Sequence, residues 1–323
     1  MSLDEIKYPI EAEFELFEAN FRNVFRSENV LLKQINDYLL EQDGKKLRPI
    51  IVLLAAKLCC GACSSVTMDV AVALELLHTA SLIHDDVVDS TLQRRGRPSI
   101  NAQWGNKIAV LAGDFFLSNS LFFAARTKNQ KIMTLLSQIG INLSEGELFQ
   151  LSKENHADIT ETEYLNIIRK KTALLFASCA TMGALSVGAD EHKTMKMSLF
   201  GEYLGTSFQI RDDIFDYSED KNIGKPTGND IRERKITLPL IFALKNSDEK
   251  SKMEIVNILN NKLDNNDVKK IVEFTRKNGG IEYAADKMLI YKQKAIEELA
   301  DFENGELKNS LIACAEFAAQ RNF

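Results

Sequence analysis

Between its turn signals the chain places apolar residues with the period of helices. Residues 66–89 carry them at helical spacing, with many alanines and no internal breaker, and predict one long helix. The same pattern predicts helices over 108–126, 132–151, 163–187 and 194–217. These segments are apolar on more than one face, as the central helices of a large bundle are. Strand-like alternation of any length is absent, and only five prolines interrupt the chain. After Lys245 the sequence turns polar (KNSDEKSKMEIVNILNNKLDNNDVKK), which predicts shorter peripheral helices. The expected fold class is all-α. Length alone suggests about two domains at roughly 150 residues each. No Gly/Ser/Pro-rich linker, repeat or low-complexity block divides the chain, so one large domain over 1–323 is expected.

Composition supports a sizeable core, with 45% of residues hydrophobic and 27% charged. A net charge of −6, from 46 acidic and 40 basic residues, gives no footprint for nucleic acid. The longest uninterrupted apolar run, 49–56, stops at Lys57. That is well short of the roughly 18–20 residues of a membrane span. The opening MSLDEIKYPIEAEFE is acidic and lacks the apolar stretch of a signal peptide, so a cytoplasmic location is expected. Five cysteines, two of them adjacent, make a poor disulfide framework. Cys60-Gly-Ala-Cys63 matches C-x-x-C, but it ends an apolar helical segment without a second ligand pair and is read as ordinary thiols.

Two acidic clusters interrupt this apolar pattern. SLIHDDVVDS occupies 81–90 and QIRDDIFDY occupies 209–217. On a helix Asp85 and Asp89 share a face, while Asp86 lies about 100° round, and Asp212, Asp213 and Asp216 repeat the arrangement. Carboxylates at a helix C-terminus oppose the macrodipole, so capping does not explain them. Hard oxygen ligands that fill only part of a cation's shell suit Mg²⁺, which keeps waters and shares substrate phosphates. Basic Gly/Pro turns trail both clusters: TLQRRGRP at 91–98 and NIGKPTGND at 222–230. Further cations stand at Lys45, Lys46 and Arg48, and at Lys170 and Lys171 within an apolar helix. Such groups recognise phosphate oxygens. The composite is an apolar cavity rimmed by Mg²⁺ ligands and cations, a site for a diphosphate with an apolar tail. A di-iron bundle needs two Glu-x-x-His pairs. Glu75-Leu-Leu-His78 is one, and no second exists. No serine or cysteine pairs with a histidine as a nucleophile.

At these residues the sequence resembles the trans-isoprenyl diphosphate synthases, the polyprenyl synthetase family. The resemblance is carried, in the family's order, by GKKLRP (44–49), HTASLIHDDVVD (78–89), RRGRP (94–98), GNKIAVLAGD (105–114), KKTA (170–173), FQIRDDIFD (208–216), GKPTGND (224–230) and KITLP (235–239). It implies an all-α bundle around a deep apolar cavity, assembled as a homodimer. It implies a Mg²⁺-dependent enzyme that condenses isopentenyl diphosphate head-to-tail with an allylic diphosphate. About three Mg²⁺ ions per active site would be held by Asp85, Asp86, Asp89, Asp212, Asp213 and Asp216. Asp85, Asp89, Asp212 and Lys171 are implied to act in catalysis. Arg94, Lys171, Thr172, Gln209 and Lys225, with Lys235 assisting, match positions on the allylic diphosphate. Lys45, Arg48, His78 and Arg95 match the isopentenyl diphosphate site.

The product is expected to be longer than C20, of hexa- to octaprenyl size, and to supply a quinone side chain. Ser81 and Ala80, four and five residues before Asp85, are small where short-chain members of the family carry bulky aromatics. A deeper stop is sought among the phenylalanines of DFFLSNSLFF (114–123). Alternatives are a short-chain farnesyl or geranylgeranyl synthase, a terpene cyclase, a head-to-head synthase and a non-catalytic partner subunit. A cyclase is disfavoured because DDIFD departs from its second motif, and a silent partner because no motif residue is lost. Trp104 is read as packing, His84 as orienting a carboxylate or solvent, and His156 and His192 as surface residues.

Overall fold

Helices form where the apolar period runs unbroken and end where caps and polar turns punctuate it. The computed structural model describes residues 2–42, 44–153, 158–217, 228–261 and 263–320. In chain order the first half comprises α1 (Leu3–Lys7), a 3₁₀ turn (Tyr8–Ile10), α2 (Glu11–Val24), α3 (Val30–Leu40), α4 (Leu47–Cys60) and α5 (Ser65–Val88). A two-residue ribbon, β1 (Gln93–Arg94) and β2 (Arg97–Pro98), leads to α6 (Ile100–Trp104), α7 (Asn106–Arg126) and α8 (Gln130–Lys153). Then come α9 (Glu161–Ile168), a π turn (Arg169–Ala173), α10 (Leu174–Ser186) and α11 (Glu191–Phe215). The rest is α12 (Asn229–Arg232), α13 (Leu238–Asn246), α14 (Glu249–Leu259), α15 (Asn265–Lys277), α16 (Gly280–Glu298) and α17 (Glu306–Gln320). Two compact units result, one of residues 1–138, 178–198 and 299–314, the other of 139–177, 199–298 and 315–323. Four of the five boundaries fall inside helices, and the fifth at the end of α16.

In the first unit α4 is buried on all sides from Ile50 to Ala56, as expected of a helix without a polar face. Ser64 and Thr67 form a capping box that starts α5, and the Ser64 hydroxyl also donates to the Ser186 carbonyl at 2.9 Å. Ser120 of α7 donates to the Ala73 carbonyl of α5 at 2.7 Å. On α2, Phe14, Phe17 and Phe21 stack at successive turns and continue through Phe25 to Phe116 of α7, with centroids 5.0–5.7 Å apart. Phe116 is thus buried within this run of rings, and Phe122, 59% exposed, lies on the surface.

By length and composition α5 and α7 are each apolar enough to cross a membrane, which a search for uninterrupted apolar runs passes over. A core helix meets the same test, and the apolar window of α5 is 61% buried inside the protein. The window of α7 is 39% buried, because Val110, Leu111, Leu121 and Phe122 lie along one outward face.

The second unit departs from the sequence pattern in two places. Residues 163–187 do not form one α-helix. Tyr164, Ile167 and Ile168 are buried, and an unbroken α-helix would bring Lys171 round to the same face. The π turn supplies an extra residue before burial resumes at Ala173. Leu174 donates its N–H to the Arg169 carbonyl, five residues back. Second, α16 spans 19 residues where shorter helices were predicted. It buries only a stripe containing Gly280, Ala284, Met288 and Ala295, so its polar face masked its length. One core cluster gathers Tyr164, Ile168, Ile210, Leu238 and Met288, and another Tyr217, Ile231, Leu240 and Ile271.

Candidate functional site

The first aspartate cluster lies at the C-terminal end of α5. Asp89 is the C-cap, and Ser90 follows in the left-handed region with φ 52°. Ser90 N–H donates to the Val87 carbonyl and Thr91 N–H to that of Asp86 at 2.9 Å, a Schellman closure with serine where glycine is usual. Asn101 is buried and donates from Nδ2 to the carbonyls of Asp86 (3.0 Å) and Thr91 (3.1 Å). Asn101 carries no chemistry-bearing motif, and sequence reasoning missed it. The helix end is therefore satisfied by backbone and amide groups. Asp85 and Asp89 are half-buried. Asp86 is 3% exposed and accepts from Arg94: Nε at 2.9 Å to both carboxylate oxygens and Nη2 at 2.6 Å to Oδ1. His84 Nε2 lies 3.4 Å from both Asp114 Oδ1 and the Val110 carbonyl oxygen. Gly113 makes room for its ring, since a Cβ there would fall 2.2 Å from Nε2.

RRGRP folds into a hairpin. Arg94 pairs with Arg97 across it, and Arg95 (φ 52°) and Gly96 (φ 75°) form a left-handed two-residue turn. An arginine in this conformation costs about 1–2 kcal/mol, a strain that native folds tend to keep at functional positions. Arg95 donates to the Gln42 carbonyl at 2.7 Å. Both arginines line a pocket with about 800 Å³ of empty space continuous with solvent, with His78, Glu75, Lys46 and Asp86 also on its wall. Burial, together with Arg48, Arg95 and Arg94, holds the His78 imidazole well below its ordinary range, so it is neutral. Lys46 donates to Glu18 of α2 at 2.7 Å. Burial pushes the Glu75 carboxyl up against the pull of Arg48, Lys46 and Arg95, and its Oε2 is buried without a hydrogen-bond partner. The pocket thus unites His78, Arg94, Arg95 and Asp86, with Arg48 beside them. Lys45 is exposed and does not line it.

Ala80 is 1% exposed, and Ser81 donates its hydroxyl to the His78 carbonyl at 2.9 Å. Neither is on the pocket wall, which takes the α5 face of Glu75, His78, Thr79, Leu82 and Asp86.

The second cluster is built around Asp213. Its carboxylate is buried and accepts from Tyr164 Oη (2.7 Å) and Gln209 Nε2 (2.8 Å), while Thr172 Oγ1 donates to Gln209 Oε1 at 2.7 Å. Burial, and then the neighbouring Asp230 charge, push the Asp213 carboxyl well above its usual range. Asp216 accepts from the N–H groups of Asn229 (2.8 Å) and Asp230 (3.0 Å), starting α12. Asp212 is half-buried on α11. The family resemblance placed Thr172 and Gln209 on the allylic diphosphate, not against Asp213, and sequence reasoning missed Tyr164, whose role no local motif marks. Lys171 is ion-paired with Glu147 and donates to Gln150 Oε1 at 3.0 Å, and Lys235 pairs with Glu233 at 2.8 Å. Lys225 and His156 lie outside the described residues.

Within each cluster, then, the aspartate that lies round the helix from its neighbours turns to protein donors. Among the described residues no three His, Cys, Asp or Glu side chains converge as a closed metal site. Trp104 packs edge-on to Tyr38 at 5.1 Å, and His192 is on the surface. Burial pushes the Cys59 thiol up to about 11 and Cys63 to about 12, as expected of inert thiols.

The family profile described as polyprenyl synthetase matches residues 29–275. The chain is 35% identical over 312 residues to heptaprenyl diphosphate synthase component 2 of Bacillus subtilis, covering 96% of this chain and 88% of that one. A crystal structure of a decaprenyl diphosphate synthase from Rhodobacter capsulatus superposes with TM-score 0.94 at 32% identity, over 99% of both chains. A geranylgeranyl pyrophosphate synthase structure from Bacteroides thetaiotaomicron gives TM-score 0.85 at 42% identity, over 98% of this chain and 99% of that one. Likeness in sequence and structure over nearly the whole length, on top of a profile that spans most of it, places the chain in the polyprenyl synthetase family.

Proposed function

We propose that this protein is a Mg²⁺-dependent trans-prenyltransferase. It condenses isopentenyl diphosphate head-to-tail (1'-4) with an allylic diphosphate and yields an all-trans polyprenyl diphosphate longer than C20. The observation that carries this is the pocket where Arg94, Arg95 and neutral His78 meet Asp86 of the first aspartate cluster. Cations and neutral donors recognise diphosphate oxygens there, beside carboxylates that suit a hard cation. The half-buried Asp85, Asp89 and Asp212 offer few, hard donors, which fits Mg²⁺ held partly by water and substrate. When bound, Mg²⁺ supplies Lewis-acid stabilisation of charge on the diphosphate.

The chain's own residues do the rest. The family match assigns the allylic diphosphate, whose C–O bond breaks, to Arg94 of the first unit and, in the second, to Lys171 and the Thr172–Gln209 pair. His78 and Arg95 on the pocket wall, with Arg48 beside them, hold isopentenyl diphosphate so that its double bond attacks the allylic carbon, and Lys45, exposed outside that wall, is added by the family match alone. A C–C bond forms, and a proton leaves to the released diphosphate. Apolar walls keep water from the cationic carbon. Activity should require a divalent cation, with Mg²⁺ preferred to Ca²⁺; full turnover in the presence of a chelator would count against the proposal.

Small Ala80 and Ser81, and the heptaprenyl and decaprenyl relatives, support a long product. A C20 product is the alternative, favoured by the 42% identity to a geranylgeranyl pyrophosphate synthase. For assembly, the outward face of α7 supports a homodimer, since its apolar side chains are half or more exposed at Leu111 and Phe122. The relative named as component 2 makes a second, different subunit the competing outcome. Sedimentation of the purified chain should give twice the monomer mass, and Leu111→Glu with Phe122→Glu should return the monomer; a monomeric wild type that turns over only after another subunit is added would refute the homodimer. A single domain and a cytoplasmic location accompany this proposal.

The two hairpin arginines should separate kinetically. Arg94→Ala is expected to damage use of the allylic substrate, because it removes the cation against Asp86, and Arg95→Ala use of isopentenyl diphosphate. Loss of one bidentate charged contact corresponds to about 2–3 kcal/mol, or roughly 30- to 150-fold in kcat/KM for the affected substrate. Equal effects on both substrates would show that the arginines do not divide the work.

A further inference from the structure

We infer that Gly146, Glu147 and Gln150 of α8 are positioning residues that fix Lys171, the cation placed on the allylic diphosphate; the inference rests on that placement. Lys171 sits in the π turn, where an extra residue interrupts the helical ladder. Single π turns are often kept at functional positions because they re-aim side chains. Helix α8 passes directly against this turn, and Gly146 is what permits the approach. A Cβ at 146 would fall 2.9 Å from Lys170 Cβ and 3.0 Å from Lys171 Cγ. One residue on, Glu147 forms an ion pair with the Lys171 ammonium, and one turn on, Gln150 Oε1 accepts from it at 3.0 Å.

The neighbouring pair shows what an ordinary arrangement looks like. Both lysine side chains are 24% exposed, but the Glu145 carboxylate that meets Lys170 at 2.7 Å is 57% exposed, whereas Glu147 on Lys171 is 17% exposed. A solvated pair holds a lysine loosely. The half-buried arrangement has a cost, because the atoms Glu147 Oε1 and Gln150 Nε2 are left buried without hydrogen-bond partners. Buried polar groups that go unpaired destabilise a fold. Stability alone therefore does not account for the choice of these two side chains. Fixing a lysine's aim does, since the flexible four-carbon stem otherwise has to be ordered during the reaction itself.

The test is a set of double-mutant cycles on purified enzyme, measuring kcat and the allylic KM. Glu147→Gln and Gln150→Leu keep side-chain volume, and Gly146→Ala displaces the lysine by its Cβ. Each single substitution is expected to lower kcat about tenfold with the allylic KM changed less than about twofold, because the lost interaction acts on the departing diphosphate. In a Lys171→Ala background each should cost less than about twofold more. If Gly146→Ala fails to fold, the two volume-conserving variants carry the test. Singles with wild-type kcat, or a repeated tenfold loss on top of Lys171→Ala, would overturn the inference. If Lys171→Ala itself retains turnover, the placement of Lys171 on the diphosphate is wrong, and the positioning role goes with it.

Discussion

Asp85→Asn and Asp212→Asn should each lower turnover about a thousandfold, the equivalent of about 4 kcal/mol of transition-state stabilisation. Both side chains sit half-buried in the last turns of long helices, α5 and α11. A carboxylate at a helix C-terminus opposes the macrodipole. Relief of that opposition offsets part of what the neutral isostere gives up in charged contacts, so folding stability should change by less than about 1 kcal/mol. Steady-state kinetics beside thermal melts separate the two effects. Turnover within tenfold of wild type in both variants, or a turnover loss matched by collapse of the fold, would remove these carboxylates from the chemistry. Asp216→Asn should differ. Its carboxylate accepts the N–H groups of Asn229 and Asp230, and the neutral amide accepts them less well, so part of its effect should appear as lost stability.

Ala80→Phe or Ser81→Phe should shorten the product to C15–C20. These positions lie one turn below Asp85 on α5, roughly 6–7.5 Å down the helix axis and off the pocket wall, at the level where the family match would put the elongating chain. Ala80 is 1% exposed, so a phenylalanine there overpacks its surroundings by about 1–3 kcal/mol unless it occupies space the product would fill. Ser81 is the gentler test, because it is half-buried and donates only to the His78 carbonyl of its own helix. Chromatographic sizing of the prenyl alcohols after dephosphorylation reads the outcome. Unchanged product length in a folded Ser81→Phe variant would place the growing chain elsewhere.

Much of this fold was legible because its long helices bury apolar residues at unbroken period. The residues predicted over 66–89 and 108–126 became α5 and α7 with ends displaced by at most two positions. Both aspartate clusters were legible as chemistry, since carboxylates at helix C-termini contradict the local electrostatics. Other features lay beyond local pattern. The π turn at 169–173 resolves a conflict between a lysine and a core-facing stripe, and only tertiary packing decides how such a conflict is relieved. Ser90 closes α5 in the left-handed conformation that glycine usually signals. Asp216 looked identical in kind to Asp89, but the segment that returns at 228–230 turned it into a cap. Tyr164, Asn101 and Gln150 act through partners at least ten residues away in sequence, and no spacing rule announces such contacts.

The most direct measurement is incubation of the purified chain, alone, with labelled isopentenyl diphosphate, an allylic primer and Mg²⁺, followed by sizing of the extracted products. Expected is incorporation that depends on primer and metal, giving a ladder of all-trans prenyl diphosphates ending beyond C20. No incorporation, or a cyclic or head-to-head product, would contradict the proposed reaction itself; a ladder ending at C20 or below would contradict the proposed product length.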